Sequence, residues 1–426
     1  MDVSQPQIDH VFVLMLENRS FDHMLAFSGI PGIETTTSLG SNSFDGSTYT
    51  VGPPGAPPKM ATDPGHEFAD VFEQLCGHGA VHTPWTAFPS HLKNDDFVSN
   101  YATSRSEDAP GNPTPAPRSA WGDVMKCFDT KRQLPVLHQL ASEFAVCDHW
   151  FSSVPGPTWP NRLFLHGASS AGWADSPTPQ QIIDWIKKTT WFVFPSGASI
   201  FDRLTAAGLS WRIYADEDGP ALGGVPMVAA LDGIEYQTNT FAFSQFEADL
   251  AGPYKYAYTF IEPNYGDSVS GSFAGGSSQH PTDGVARGEA LIKATYDAIR
   301  RSAVWNRSVL FVLYDEHGGF YDSVHPRPAL PPGDGSPNDP AINGGGFLFD
   351  HFGVRVPAVI ISPLISKPRV DSTKYDHTSV LATIERLFGL APMTNRDRYA
   401  NDVRHLLSAS TPRTDCPLTL GLSGPL

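Results

Sequence analysis

Asp315, Glu316 and His317 put two carboxylates and an imidazole in a row, directly after the apolar run 309–314. That run, Val-Leu-Phe-Val-Leu-Tyr, is rich in β-branched and aromatic residues and reads as a strand buried on both faces. Gly318 and Gly319 then break it and let the backbone turn. A second run, 8–16, has the same grammar: an apolar strand that ends in Glu17 and Asn18, followed by Arg19-Ser-Phe-Asp-His23. In an open α/β sheet, ligands bind beyond the carboxyl ends of the strands. Two such endings on parallel strands would bring Glu17, Asn18, Asp315 and Glu316 to one edge. No cysteine lies near them in sequence, so the set suits one hard divalent cation better than a thiolate zinc site. Ligand type alone leaves calcium, magnesium, manganese and iron open.

A hydroxyl with a matching chemistry stands at Thr158, in Thr158-Trp-Pro-Asn-Arg162. The spacing predicts a helix with Thr158 as N-cap and Pro160 in the first turn, where a missing N–H costs nothing. Beside free N–H groups and a cation, such a hydroxyl suits a nucleophile that takes a phosphoryl group. As a plain cap it needs no other reason. Four histidines sit at strand or loop ends: His66 (in Thr62-Asp-Pro-Gly-His-Glu-Phe68), His280, His317 and His377. One of them could protonate a leaving alcohol.

These residues need a frame. Further strands are predicted over 144–147, 209–214, 256–261 and 354–362, and helices over 134–143, 199–207, 284–301 and 380–388. The helix 284–301, between two strands, reads as a βαβ crossover. Pro357 suggests that the strand 354–362 is at an edge or carries a bulge. Residues 30–125 are irregular and rich in Gly, Pro, Ser and Thr, with one short helix ending near 75. They read as a lid over the sheet without hydrophobic periodicity of their own. The expected fold is α/β, one domain over 1–426 with a mostly parallel sheet flanked by helices.

The 426 residues are 40% hydrophobic and 17% charged, with a net charge of −16. That field argues against nucleic acid and anionic membranes as general partners. A phosphate-ester substrate would need local compensation from a metal ion, arginines or a helix N-terminus. No apolar run approaches the ~18 residues of a membrane span. The N-terminus has no basic and apolar leader, which predicts a cytoplasmic protein, or a secreted or periplasmic one if a signal was removed. Cys76, Cys127, Cys147 and Cys416 show no metal-binding spacing and leave room for one or two disulfides. Oligomeric state is open.

The stretches 10–27, 147–162 and 314–322 resemble the bacterial phosphoesterase family, which includes non-haemolytic phospholipases C and AcpA-type acid phosphatases. Phe260-Ile-Glu-Pro-Asn-Tyr-Gly266, His280-Pro281, Gly353-Val-Arg-Val-Pro357 and Tyr375-Asp-His-Thr-Ser379 extend the resemblance through most of the chain. It implies an alkaline-phosphatase-like fold and one metal ion bound by Glu17, Asn18, Thr158, Asp315 and Glu316. It also implies a covalent phospho-Thr158 and histidines such as His66 and His280 around the phosphate. The 158–162 spacing is similar to the sulfatase signature Cys/Ser-x-Pro-x-Arg, and in that pattern Asn161 and Arg162 flank the reaction, Arg162 holding nucleophile or phosphate. Threonine cannot become formylglycine, which favours phosphate over sulfate esters. The expected activity is phospholipase C-type cleavage of phosphodiesters, phospholipids among them. A broad-specificity acid phosphatase and a non-catalytic phosphate- or metal-binding protein are the alternatives. Phospholipases of this family often carry an export signal and extra C-terminal modules; the expectation from this sequence is that neither is present, which would weaken a lipid-surface reading.

Overall fold

The computed structural model describes residues 8–216, 226–268 and 270–421. Ten strands follow in chain order: β1 (His10–Leu16), β2 (Ser41–Phe44), β3 (Ser47–Thr50), β4 (Ala145–Cys147), β5 (Trp211–Ala215), β6 (Thr240–Ala242), β7 (Tyr258–Glu262), β8 (Ser308–Tyr314), β9 (Ala358–Ile361) and β10 (Arg369–Asp371). Eight of them form one sheet in the order β10-β4-β9-β8-β1-β7-β5-β6, while β2 and β3 make a separate hairpin. All pairings in the large sheet are parallel except those of β9 with β4 and β8. The two strands with the chemical endings, β1 and β8, are neighbours at its centre. Every residue of β8 is buried, as its continuous apolar run requires.

Register fixes the site. Leu16 lies opposite Tyr314, so Glu17 and Asp315 leave the sheet side by side. The Asp315 amide donates to the Leu16 carbonyl at 3.2 Å and the Arg19 amide to the Glu316 carbonyl at 2.9 Å, which continues the pairing past the strand ends. The crossover helix Ala286–Arg301 connects β7 to β8. Its buried Glu289 accepts from the amides of Val136 and Leu137, at 2.7 and 3.2 Å. A carboxylate thus satisfies the free start of the helix Pro135–Glu143 and ties two helices together.

Two expectations change, and one open question closes. Pro357 is not at a sheet edge: it sits just before β9, which lies between β4 and β8, at a position where no ladder N–H is required. Residues 30–125 are more ordered than their composition suggests. The helices Phe68–Cys76 and Phe97–Thr103, the turn Arg118–Met125 and the hairpin pool their apolar side chains into a second buried cluster, joined by Phe164, Phe320 and Phe347. Each short element gives only a few of these side chains, so no single window shows a period. All four cysteines are free.

Candidate active site

The helix Thr158–Gly167 begins one residue earlier than a Thr158 cap would allow. Extended Pro157 (φ −76°, ψ 177°) is the N-cap and Thr158 is the first helical residue. Its hydroxyl is therefore not spent on capping. It donates instead to Asn18 Oδ1 at 3.1 Å. Pro160 has no N–H, so the free donors of this first turn are the amides of Thr158 and Trp159.

Asn18 is held in the left-handed region (φ 60°), which asparagine tolerates better than most residues. Its amide N–H donates to Asp315 Oδ1 at 3.1 Å, and its Nδ2 faces His66 Nε2 at 3.4 Å. Asp315 Oδ1 also accepts from the Glu316 amide at 2.7 Å, and Oδ2 takes the Arg162 Nε–H at 2.9 Å. Arg162 Nη2 reaches the carbonyls of Met15 and Leu16, at 3.3 and 3.1 Å, and lies 4.0 Å from Glu17 Oε2. Burial works against its charge, but Tyr265, Asp315 and Glu17 outweigh that and keep it firmly protonated. Arg162 is thus a fixed buried cation within an acidic chain.

The carboxylates of Glu17 and Glu316 are buried, and each keeps one oxygen, Oε1, without a hydrogen-bond partner among the described residues. Burial pushes both acids up from the usual carboxylate range, offset for Glu17 mainly by His280 and Arg162 and for Glu316 mainly by His66. A buried, unsatisfied carboxylate oxygen is costly. The unmet demand of these two oxygens is of the kind that a hard cation satisfies.

The histidines divide. His66 donates from Nδ1 to the Pro64 carbonyl at 2.8 Å and turns Nε2 to Asn18. Burial opposes its charge, but Glu107, Glu316 and Asp63 lift it well above the ordinary histidine range. His280 stacks on Phe273 and places Nε2 3.2 Å from Asp63 Oδ2. Its loop is clamped by Arg19, which donates to the carbonyls of Gln279 and His280 at 2.8 and 3.1 Å. His317 is spent on Gln74 Oε1 at 2.8 Å and lies 3.4 Å from Glu316 Oε2. His377 is held between the Asp315 carbonyl at 2.6 Å and the Trp150 indole N–H at 3.3 Å. Burial drives His317 down to about 3 and lowers His377 too. These two orient the carboxylate ends from behind. Asn161 does the same for the loop before Thr158. Its Oδ1 accepts from the Val154 amide and its Nδ2 donates to the carbonyls of Val154, Gly156 and Pro157.

Sequence reasoning missed Asp63 and Glu107. Asp63 lies in the same Thr62–Phe68 piece as His66, and its spacing of three from that histidine is the only hint. Glu107 comes from a distant loop with no signal. Ligand atoms of Asp63, His66 and Glu107 lie within 4.8 Å of one another, a second group able to hold a cation. Burial raises Glu107 to about 8, against the pull of His66.

Gly318 and Gly319 (φ 63° and 71°) let the chain pass under this cluster. A Cβ on Gly318 would collide with the Asn18 carbonyl oxygen and lie 2.7 Å from its carbon; one on Gly319 would lie 2.6 Å from Pro64 Cβ. Gly318→Ala is expected to cost about 1–3 kcal/mol of stability from the backbone conformation alone. Because the clash is with Asn18, turnover should fall as well. Thermal unfolding and ester hydrolysis on one preparation check this; an unchanged protein would mean that Asn18 is not held as described.

The phosphoesterase family model matches residues 8–391. Non-specific phospholipase C6 of Arabidopsis thaliana is 36% identical over 438 residues, covering 99% of this chain and 76% of the relative. Phospholipase C B of Mycobacterium tuberculosis is 28% identical over 438 residues, covering 95% and 78%. Among solved structures, a protein in the alkaline phosphatase superfamily from Vibrio parahaemolyticus is similar at 16% identity and a TM-score of 0.35, covering 65% of this chain and 66% of that one. This chain belongs to the phosphoesterase family of phosphoric ester hydrolases.

Proposed function

We propose that this chain cleaves phosphodiesters in the manner of a phospholipase C, with Thr158 as nucleophile. The observation that carries the reading is the Thr158 hydroxyl, partly open to solvent and held by Asn18, the residue next to Glu17, whose buried Oε1, like that of Glu316, has no partner among the described residues. Glu17, Asn18, Thr158, Asp315 and Glu316 would hold one divalent cation. When bound, it would lower the hydroxyl pKa and neutralise charge on the phosphoryl oxygens.

The chain's own residues supply the rest. Asn18 orients the Thr158 oxygen. Arg162 fixes Asp315 and offsets the carboxylates. The Thr158 hydroxyl gives its proton to solvent and its oxygen attacks phosphorus, forming a Thr158 phosphoester and breaking the bond to the alcohol oxygen. That oxygen takes a proton from His66, the histidine with a nitrogen turned to the reacting side. Water then cleaves the phosphothreonine and releases a phosphomonoester. The acidic neighbours of His66 favour a diester, which carries one negative charge, over a monoester with about 1.5 to 2.

The test compares p-nitrophenyl phosphocholine with p-nitrophenyl phosphate, each with and without chelator. Faster diester cleavage that chelator abolishes and a divalent cation restores is expected. Faster monoester cleavage would make the protein a phosphatase. Chelator-resistant turnover would remove the cation from the reading.

A further inference from the structure

The segment 179–195 carries apolar side chains that packing does not explain. It contains the helix Pro179–Ile186 and an extended piece, Trp191-Phe-Val-Phe194. Trp185, Phe192 and Phe194 turn inward and are buried. They anchor the segment on the helix of Thr158. Trp185 packs on Trp159 with ring centroids 6.0 Å apart, and the Phe194 ring lies against Gly167 so closely that any side chain there would strike it. The opposite face should then be polar, as it is on an ordinary surface strand. Instead Trp191 is 54%, Val193 53% and Ile183 41% exposed. Three of the eight large apolar side chains exposed among the described residues thus fall within eleven positions.

Charge points to the occupant. The chain is strongly acidic, yet this segment has Lys187 and Lys188 against Asp184 alone. Asp184 is turned back onto its own helix, accepting from Gln180 at 2.8 Å and from Thr189 at 3.0 Å. Lys188 reaches inward to the carbonyls of Ala229 and Leu231, which leaves exposed Lys187 to face outward. An exposed tryptophan, two exposed aliphatic side chains and an exposed lysine within eleven positions match a phospholipid headgroup layer with acyl chains beneath. We infer that Ile183, Lys187, Trp191 and Val193 form a docking surface for a zwitterionic phospholipid interface, joined to the Thr158 helix through Trp185 and Trp159. The choice of lipid rests on the phospholipase C reading above; the unexplained apolar face does not.

The experiment compares wild type with Trp191→Ala, Val193→Asp and the double variant. Cosedimentation with phosphatidylcholine vesicles reads docking without turnover. p-Nitrophenyl phosphocholine reads the chemistry without an interface, and light scattering reads the oligomeric state. Wild type should partition onto vesicles and the double variant about tenfold or more weakly. Its turnover of the soluble ester should stay within about twofold. Three results would overturn the surface: wild type left in the supernatant, variants that bind vesicles as wild type does, or a wild-type dimer that the variants split. Vesicle binding through Trp191 with no cleavage of any ester would keep the surface and remove the catalytic reading.

Discussion

Replacing Thr158 with alanine is expected to lower turnover of a phosphodiester by about 10⁴-fold or more, the scale on which loss of a nucleophile acts. Stability should barely change. The hydroxyl makes one hydrogen bond, to Asn18 at 3.1 Å, worth about 1 kcal/mol, and Thr158 does not cap the helix, whose N-cap position is Pro157. Thr158→Ser keeps the attacking oxygen and should recover most of the rate. On the wild-type protein, a phosphate trapped by rapid acid quench should map to residue 158 by mass spectrometry. A Thr158→Ala protein with near-normal turnover would place the nucleophile elsewhere. Asn161→Ala is the informative contrast. Asn161 touches no reacting group, and its amide satisfies four backbone positions in the loop before Thr158. Its loss should appear first as a lower unfolding midpoint, with activity falling only as the loop loosens.

The contrast between residues 158 and 161 marks where sequence ceases to be legible. Thr158, Asn161 and Arg162 share one motif, yet the three side chains do different work: one faces Asn18, one holds its own loop and one buries a charge against Asp315. Spacing reports that residues travel together but not which way each points. The strand endings were easier to read, because a buried strand has a fixed direction and its first polar residues must leave at the sheet edge. Glu17 and Asp315 therefore leave neighbouring strand ends side by side, and the Asn18 amide reaches Asp315 Oδ1 at 3.1 Å. His317 and His377 looked equivalent to His66 by position. They differ because Gln74, Trp150 and the Asp315 carbonyl, all remote in sequence, take up their nitrogens. Asp63 and Glu107 depend on how a loop-rich layer folds back over the sheet, which is a tertiary fact with no local signature.

Arg355 carries the second large effect, on stability rather than on rate. It lies in Gly353-Val-Arg-Val-Pro357 and is fully buried. Its Nε donates to Asp322 Oδ1 at 2.8 Å, Nη2 to Asp22 Oδ1 at 3.2 Å, and Nη1 to the carbonyls of Glu34 and Asp148, both at 2.8 Å. One guanidinium thus fastens the segment after β1, the segment after β8 and the loop after β4. Arg355→Met is expected to cost about 3–5 kcal/mol, because two carboxylates remain buried without their cation. The deficit should depend on pH. Burial raises Asp322 to about 7 in the folded protein, against the pull of Arg355. A carboxyl whose folded pKa lies above its unfolded value contributes stability at low pH and loses it as pH rises through the folded value. Removing Arg355 lifts the folded value further. Urea midpoints should then show a large gap between variant and wild type at pH 8 that narrows toward pH 5, where Asp322 can fold in its neutral form. A gap that stays constant across that range would mean that the loss is one of packing and backbone hydrogen bonds rather than of charge.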